Sequence, residues 1–254
     1  MMTSGLITVP AFAGTGHGIR HFFGTRLQST SLERESLNAH AIVSVKQVHG
    51  TDALIIDRAP KPDAVYPGGW DALISDQTGV LLTVRTADCV PVLCRDARRQ
   101  VIAAVHAGWR GTVAGIISKT LAHMRRHFHS APGDISMVIG PSAGPCCYEV
   151  DEQVLSLVRT EYPYWRLVVS ETGRGRALLD LRALIRRQAQ ADGVDAGRIW
   201  TVKVCTICHP RLFYSYRREG IVKQTMVSGI MLAPADRRVT SRHSERRSRL
   251  VQTF

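Results

Sequence analysis

The chain of 254 residues is 44% hydrophobic and 21% charged, a balance that excludes a disordered or fibrous protein and supplies a full core without disulfides. Its formal net charge is +12, with part of the excess in residues 236–254, where six arginines stand against Asp236 and Glu245. No basic run leads into a long apolar stretch at the start, and runs such as Val101–Val105 are too short to span a bilayer.

In chain order, Leu27–Asn38 is polar and Ala59–Gly69 is rich in proline and glycine, so both read as loops. Ala41–Val48 and Thr51–Ile56 are rich in apolar and β-branched residues and flank His49-Gly50. Ala72–Ser75, Val80–Thr86, Pro91–Cys94 and Gln100–His106 follow as further predicted strands. From Thr112 to His127 the period changes: Val113, Ile116, Ile117, Thr120, Leu121 and Met124 share one helical face. Ile135–Ile139 predicts a strand, Asp151–Glu161 and Leu179–Ala191 predict helices, and Ile199–Val204, Phe213–Tyr216 and Ile221–Leu232 predict closing strands. Many strands follow one another with no helix between them. The expected class is therefore α/β (α+β), a layered domain of mixed sheets flanked by helices over residues 1–235. Residues 236–254 are expected to form a basic, disordered tail that touches nucleic acid only non-specifically.

Three segments concentrate reactive side chains: Lys46-Gln47-Val48-His49-Gly50, Thr86-Ala87-Asp88-Cys89-Val90-Pro91, and Val105-His106-Ala107-Gly108-Trp109-Arg110-Gly111. Each places its His or Cys at a predicted strand end, where loops build sites. Gly108 and Gly111 permit close backbone approach, and the N–H groups opening the Thr112 helix offer an anion site. Two imidazoles and a thiolate suit zinc with a fourth position left open. Their spacing forms no local motif, and a metal-free Cys89–His106 nucleophile pair in a hydrolase is equally open to these residue types.

These stretches, together with His21-Phe22-Phe23-Gly24-Thr25-Arg26, Asp71-Ala72-Leu73-Ile74, Ile139-Gly140-Pro141, Cys147-Tyr148-Glu149-Val150, Leu179-Asp180-Leu181, Cys205-Thr206 and Phe213-Tyr214-Ser215-Tyr216-Arg217-Arg218, resemble the laccase-domain family. That family was long labelled polyphenol oxidase and is now regarded as one of purine nucleoside phosphorylases. The resemblance covers about Gly18 to Leu232. It implies a single layered catalytic domain, metal ligands at His49, Cys89 and His106, and zinc as cofactor, with copper the alternative. It also implies phosphorolysis of adenosine, inosine and S-methyl-5′-thioadenosine, deamination of adenosine, and purine nucleosides and phosphate as partners. The sequence departs from the family after Arg26, where a Gly-Gly-x-Ser turn is missing and only 19 residues precede Lys46.

For deamination, a proton carrier must serve metal-activated water, and Asp88 is the candidate; a turn-capping aspartate is its other role. For phosphorolysis, Arg110, Arg217 and Arg218 are the candidate phosphate ligands, and Tyr148 or Tyr216 the purine-stacking ring. Cys205-Thr206-Ile207-Cys208-His209 has the form of a haem attachment site but is read as a thiol pair, because that maturation needs export. Cys146 and Cys147 are assigned no chemistry. A cytoplasmic monomer is expected, its cysteines thiols or ligands. The alternatives are copper-dependent phenol oxidation and a basic nucleic-acid-binding protein.

Overall fold

A computed structural model describes residues 2–3, 5–13, 18–27, 37–62 and 64–234. The expectations for the Leu27–Asn38 loop fall mostly outside them, and those for the basic tail wholly so. The elements run β1 (Met2–Thr3), β2 (Leu6–Ile7), α1 (Pro10–Ala13), β3 (Ile19–Gly24), β4 (Ala41–Val43), β5 (Ala53–Ile56), β6 (Ala72–Ser75), β7 (Val80–Thr86), β8 (Val90–Asp96) and β9 (Val101–Ala107). Then come α2 (Trp109–Val113), α3 (Ile116–Phe128), β10 (Ile135–Ile139), β11 (Glu149–Asp151), α4 (Glu152–Glu161), β12 (Val169–Gly173), β13 (Arg176–Leu179), α5 (Leu181–Ala191), β14 (Ile199–Thr201), α6 (Tyr216–Glu219) and β15 (Met226–Leu232).

Among the described residues the strands form a six-stranded sheet ordered β1-β2-β3-β15-β7-β4, a second ordered β14-β10-β8-β9-β6-β5, and a three-stranded sheet ordered β11-β13-β12. Both large sheets are mixed. β4 runs parallel to β7, β14 to β10 and β5 to β6, and the other pairs are antiparallel.

Residue alternation explains the layering. Strand β9 is buried along its whole length. Ile102 and Ala104 face a core shared with Leu93, Val138, Phe23, Leu82, Val84 and Ile230, which joins the two large sheets. Val101, Ala103 and Val105 point the other way, onto Ile117, Leu121 and Met124 of α3 and Leu184 and Ile185 of α5. The second sheet is thus covered on both sides, which is why its strands read as nearly continuous apolar runs. Each such fully buried Leu, Ile or Val contributes about 1.5–3 kcal/mol. No helix among the described residues is long and apolar enough to cross a membrane.

Local chemistry moved several boundaries. The helix expected from Thr112 to His127 is two helices, because Gly115 adopts φ 81° between them. Thr112 N–H already donates to Gly108 O, so it is not available to an anion as expected. The strand expected over Ala41–Val48 stops at Val43. Phe213–Tyr216 is not a strand: Ser215 caps Arg218 N–H and opens the short helix α6. The last strand starts at Met226 rather than Ile221.

Candidate metal centre

Hairpin β8–β9 sets two of the three expected ligands. Its register pairs Pro91 with His106, so Cys89, two residues before Pro91, lies on the same face of the sheet as His106, just past the hairpin's open end. Strand β6 pairs with the other edge of β9, Ala72 opposite Val105. That register puts Asp71 directly beside His106: His106 N–H donates to Asp71 O at 2.7 Å, and the Asp71 carboxylate meets His106 Nδ1 at 2.7 Å. Asp71 is fully buried.

The same carboxylate sets the third ligand. It accepts backbone N–H bonds from Val48 at 3.2 Å, His49 at 3.0 Å and Gly50 at 2.7 Å. Three successive amides around one carboxylate hold His49 in a left-handed conformation, φ 61°, which is uncommon for a residue with a side chain. His49 Nε2 then lies 3.8 Å from Cys89 Sγ, and the His49 and His106 rings meet edge to face, centroids 4.8 Å apart. The ligating atoms of His49, Cys89 and His106 all lie within 4.8 Å of one another.

Three observations show that these residues fit a metal. Nitrogen and sulfur on a tetrahedral zinc stand about 3.6 Å apart, given bonds near 2.0–2.1 and 2.3 Å, close to the observed Cys89–His49 separation. Asp71 engages His106 Nδ1 and leaves Nε2 for an ion, the arrangement that orients metal-binding imidazoles. Gly108 closes the site: a Cβ there would lie 2.9 Å from His49 Cδ2 and 3.2 Å from Cys89 Sγ.

Without an ion the groups polarise one another. Burial opposes ionisation of the Cys89 thiol, but hydrogen bonds to His106 and His49 outweigh it and bring its pKa down to about 7. Burial also opposes charge on His106, and Asp71 and Cys89 overcome it, raising its pKa to about 9. Asp71 itself is held below its ordinary range, its own burial outweighed by the His106 and backbone N–H bonds.

The cluster opens on a cavity of about 970 Å³. Arg110, Arg217, Tyr148, Tyr216 and Asp88 line it, as do Arg85 and Arg176, which the sequence did not single out. Arg110 is exposed and stacks on Trp109 at 4.4 Å; among the described residues its guanidinium makes no hydrogen bond or ion pair. Arg217 lies 5.3 Å from the Tyr148 ring centroid and donates to Glu149 O at 2.7 Å. Burial pushes the Tyr148 hydroxyl up to about 12. Tyr216 sits exposed on the cavity wall.

Two expected site residues have other work. Arg218 is not brought to the cavity: it donates to Thr206 O, Ile207 O, Phe213 O and Glu219, so its guanidinium is spent on the chain itself. The Asp88 carboxylate accepts from Thr206 Oγ1 at 2.6 Å, Ser215 Oγ at 2.8 Å and Arg217 N at 2.7 Å, tying Cys89 to the start of α6, which carries Arg217. Asp71, quoted from the sequence only within a matching stretch and given no role, is the hub of the cluster's hydrogen bonds. Its signal was an acid immediately before an apolar strand, where a lone carboxylate needs a reason to be buried.

The profile of the family described as multi-copper polyphenol oxidoreductase laccase matches residues 27–233. A purine nucleoside phosphorylase of Bacteroides thetaiotaomicron is 35% identical over 215 residues, 82% of this chain and 79% of that protein. Adenosine deaminase RL5, from an unknown prokaryotic organism, is 34% identical over 74% of each chain. The crystal structure of YlmD from Geobacillus stearothermophilus superposes with a TM-score of 0.82 at 29% identity, covering 92% of this chain and 98% of that one.

Proposed function

The chain belongs to the multi-copper polyphenol oxidoreductase laccase family, and from that premise we propose that it is a zinc-dependent purine nucleoside phosphorylase that also deaminates adenosine. The observation that carries this reading is the convergence of His49, Cys89 and His106, ordered by Asp71, on a cavity that also presents the exposed guanidinium of Arg110. The two-nitrogen, one-sulfur donor set favours zinc over harder cations.

Zinc bound there supplies Lewis acidity and lowers the pKa of water toward neutrality. Asp71 fixes the His106 ring so that Nε2 is presented, and its grip on residues 48–50 keeps His49 opposite. Arg110 offers paired donors that match phosphate, with Arg217 the second cation. Tyr216 is free to lie on a purine face, and Tyr148 walls the deeper side beneath Arg217. Asp88 serves here as an anchor for residues 206–217 rather than as a proton carrier, because three donors already occupy its carboxylate. Adenosine, inosine and S-methyl-5′-thioadenosine are the proposed substrates.

The test is product analysis with each nucleoside, with and without phosphate, before and after chelation. Phosphate-dependent release of free base, and inosine from adenosine, both abolished by chelation and restored by zinc, support the reading. Turnover unaffected by metal removal would instead favour the Cys89–His106 nucleophile. Phenol oxidation by copper-loaded protein with no nucleoside turnover would favour the oxidase named in the family's description.

A further inference from the structure

Cys146, Cys147, Cys205 and Cys208 come from two loops far apart in sequence, and no residue of the four lines the cavity. The sequence reading left the first pair without chemistry and took the second as a plain thiol pair. The fold brings them together: all four sulfurs lie within 4.8 Å of one another. Cys208 Sγ is 3.1 Å from Cys147 Sγ and 3.4 Å from Cys146 Sγ.

We propose that these four cysteines form a second metal site, a tetrahedral four-thiolate zinc site that staples the loop 142–148 to the loop 204–209. Three features argue for a shared centre rather than disulfides. Sulfurs on one tetrahedral zinc stand about 3.8 Å apart, whereas a disulfide needs about 2.05 Å and pairs one sulfur with one other. Cys208 approaches two partners almost equally, as a ligand around a common point does. Cys205, the buried member, accepts an N–H bond from Gly144 N at 3.2 Å, a contact to its sulfur that crosses the two loops.

The backbone is built to bring the loops together. Ser142 and Cys205 form an isolated parallel bridge, with Thr206 N–H donating to Ser142 O at 3.0 Å. Gly144 permits the approach, since a Cβ there would lie 3.1 Å from Cys205 Cβ and 2.9 Å from Arg182 Nη2. The site adjoins the cavity wall on both sides. Cys147 precedes Tyr148, and Cys205 precedes Thr206, which holds Asp88 beside Cys89. A zinc ion there fixes the wall without touching substrate.

Zinc is counted per chain in full-length protein purified under reducing conditions. The wild type is expected to hold two equivalents; Cys208→Ser, at an exposed position, and Cys89→Ala are each expected to hold one. Cobalt loading of Cys89→Ala provides a reading that does not depend on the Cys208 variant folding: intense thiolate-to-cobalt charge-transfer bands are expected to persist. A Cys208→Ser protein with the wild-type zinc complement, absence of those bands in cobalt-loaded Cys89→Ala, or an intact mass showing the four thiols paired as disulfides would each overturn the site. A single equivalent lost in Cys208→Ser and kept in Cys89→Ala would uphold this site while removing the metal from the nucleoside site.

Discussion

One buried carboxylate organises the proposed metal centre. Asp71 accepts three backbone amides and orients His106, so it places two of the three proposed ligands at once. Asp71→Asn would turn an NH2 group toward amides that need an acceptor. It is expected to cost about 2–3 kcal/mol in denaturant unfolding of the apo protein. Zinc affinity is expected to fall about 10–100-fold by competition with a chromophoric chelator. The arginines divide in the same way. Arg110→Ala, at an exposed position with no hydrogen bond among the described residues, is expected to leave the melting temperature nearly unchanged and raise KM for phosphate about tenfold. Arg218→Ala abandons three carbonyls and Glu219 and is expected to destabilise by about 2 kcal/mol, detected as a lower denaturation midpoint. The residue types of His49, Cys89 and His106 left a metal-free pair equally open, and only the family resemblance singled the three out as ligands. The roles of Asp71 and Arg218 were not legible, because an acid and an arginine look alike in sequence whether they serve solvent, substrate or backbone.

Strands β6, β8, β9 and β10 were read nearly to the residue, because both faces of their sheet are buried and their apolar runs are nearly unbroken. The misses have local causes. Gly115 broke a helix whose apolar period runs straight through it, and Ser215 capped a helix inside a run of aromatic residues that favour strands. Strand β3 shows what sequence could not price. His21 is 7% exposed and its Nε2 accepts Val9 N–H at 2.9 Å, so it folds uncharged. Burial, with Arg95 nearby, lowers its pKa from 6.5 to about 4. Between those values the unfolded chain takes up a proton that the folded chain refuses, so stability falls as pH falls through this window. The loss reaches about 3 kcal/mol below pH 4. His21→Gln keeps an acceptor for Val9 without a titrating ring. The difference in unfolding free energy between variant and wild type is expected to grow in the variant's favour from pH 6.5 to 4. A constant difference would remove His21 as the source.

The layers explain why the site sits where it does. Two large sheets pack face to face, with helices and a small sheet behind the second one. The hairpin β8–β9 ends where that stack opens, and loops from both large sheets and from the third close around it. The layered class was legible from strands that follow one another without helices. The meeting of residues 49, 71, 89 and 106 was not, because it depends on register between β6, β8 and β9, which no single strand specifies. Measuring zinc content together with phosphate-dependent release of adenine from adenosine, in wild type and Cys89→Ala, tests the metal-centred phosphorylase directly. The expected result is one equivalent of zinc and nearly all phosphorolysis lost in the variant, with the fold retained. A folded Cys89→Ala protein with wild-type zinc content and wild-type turnover would contradict it.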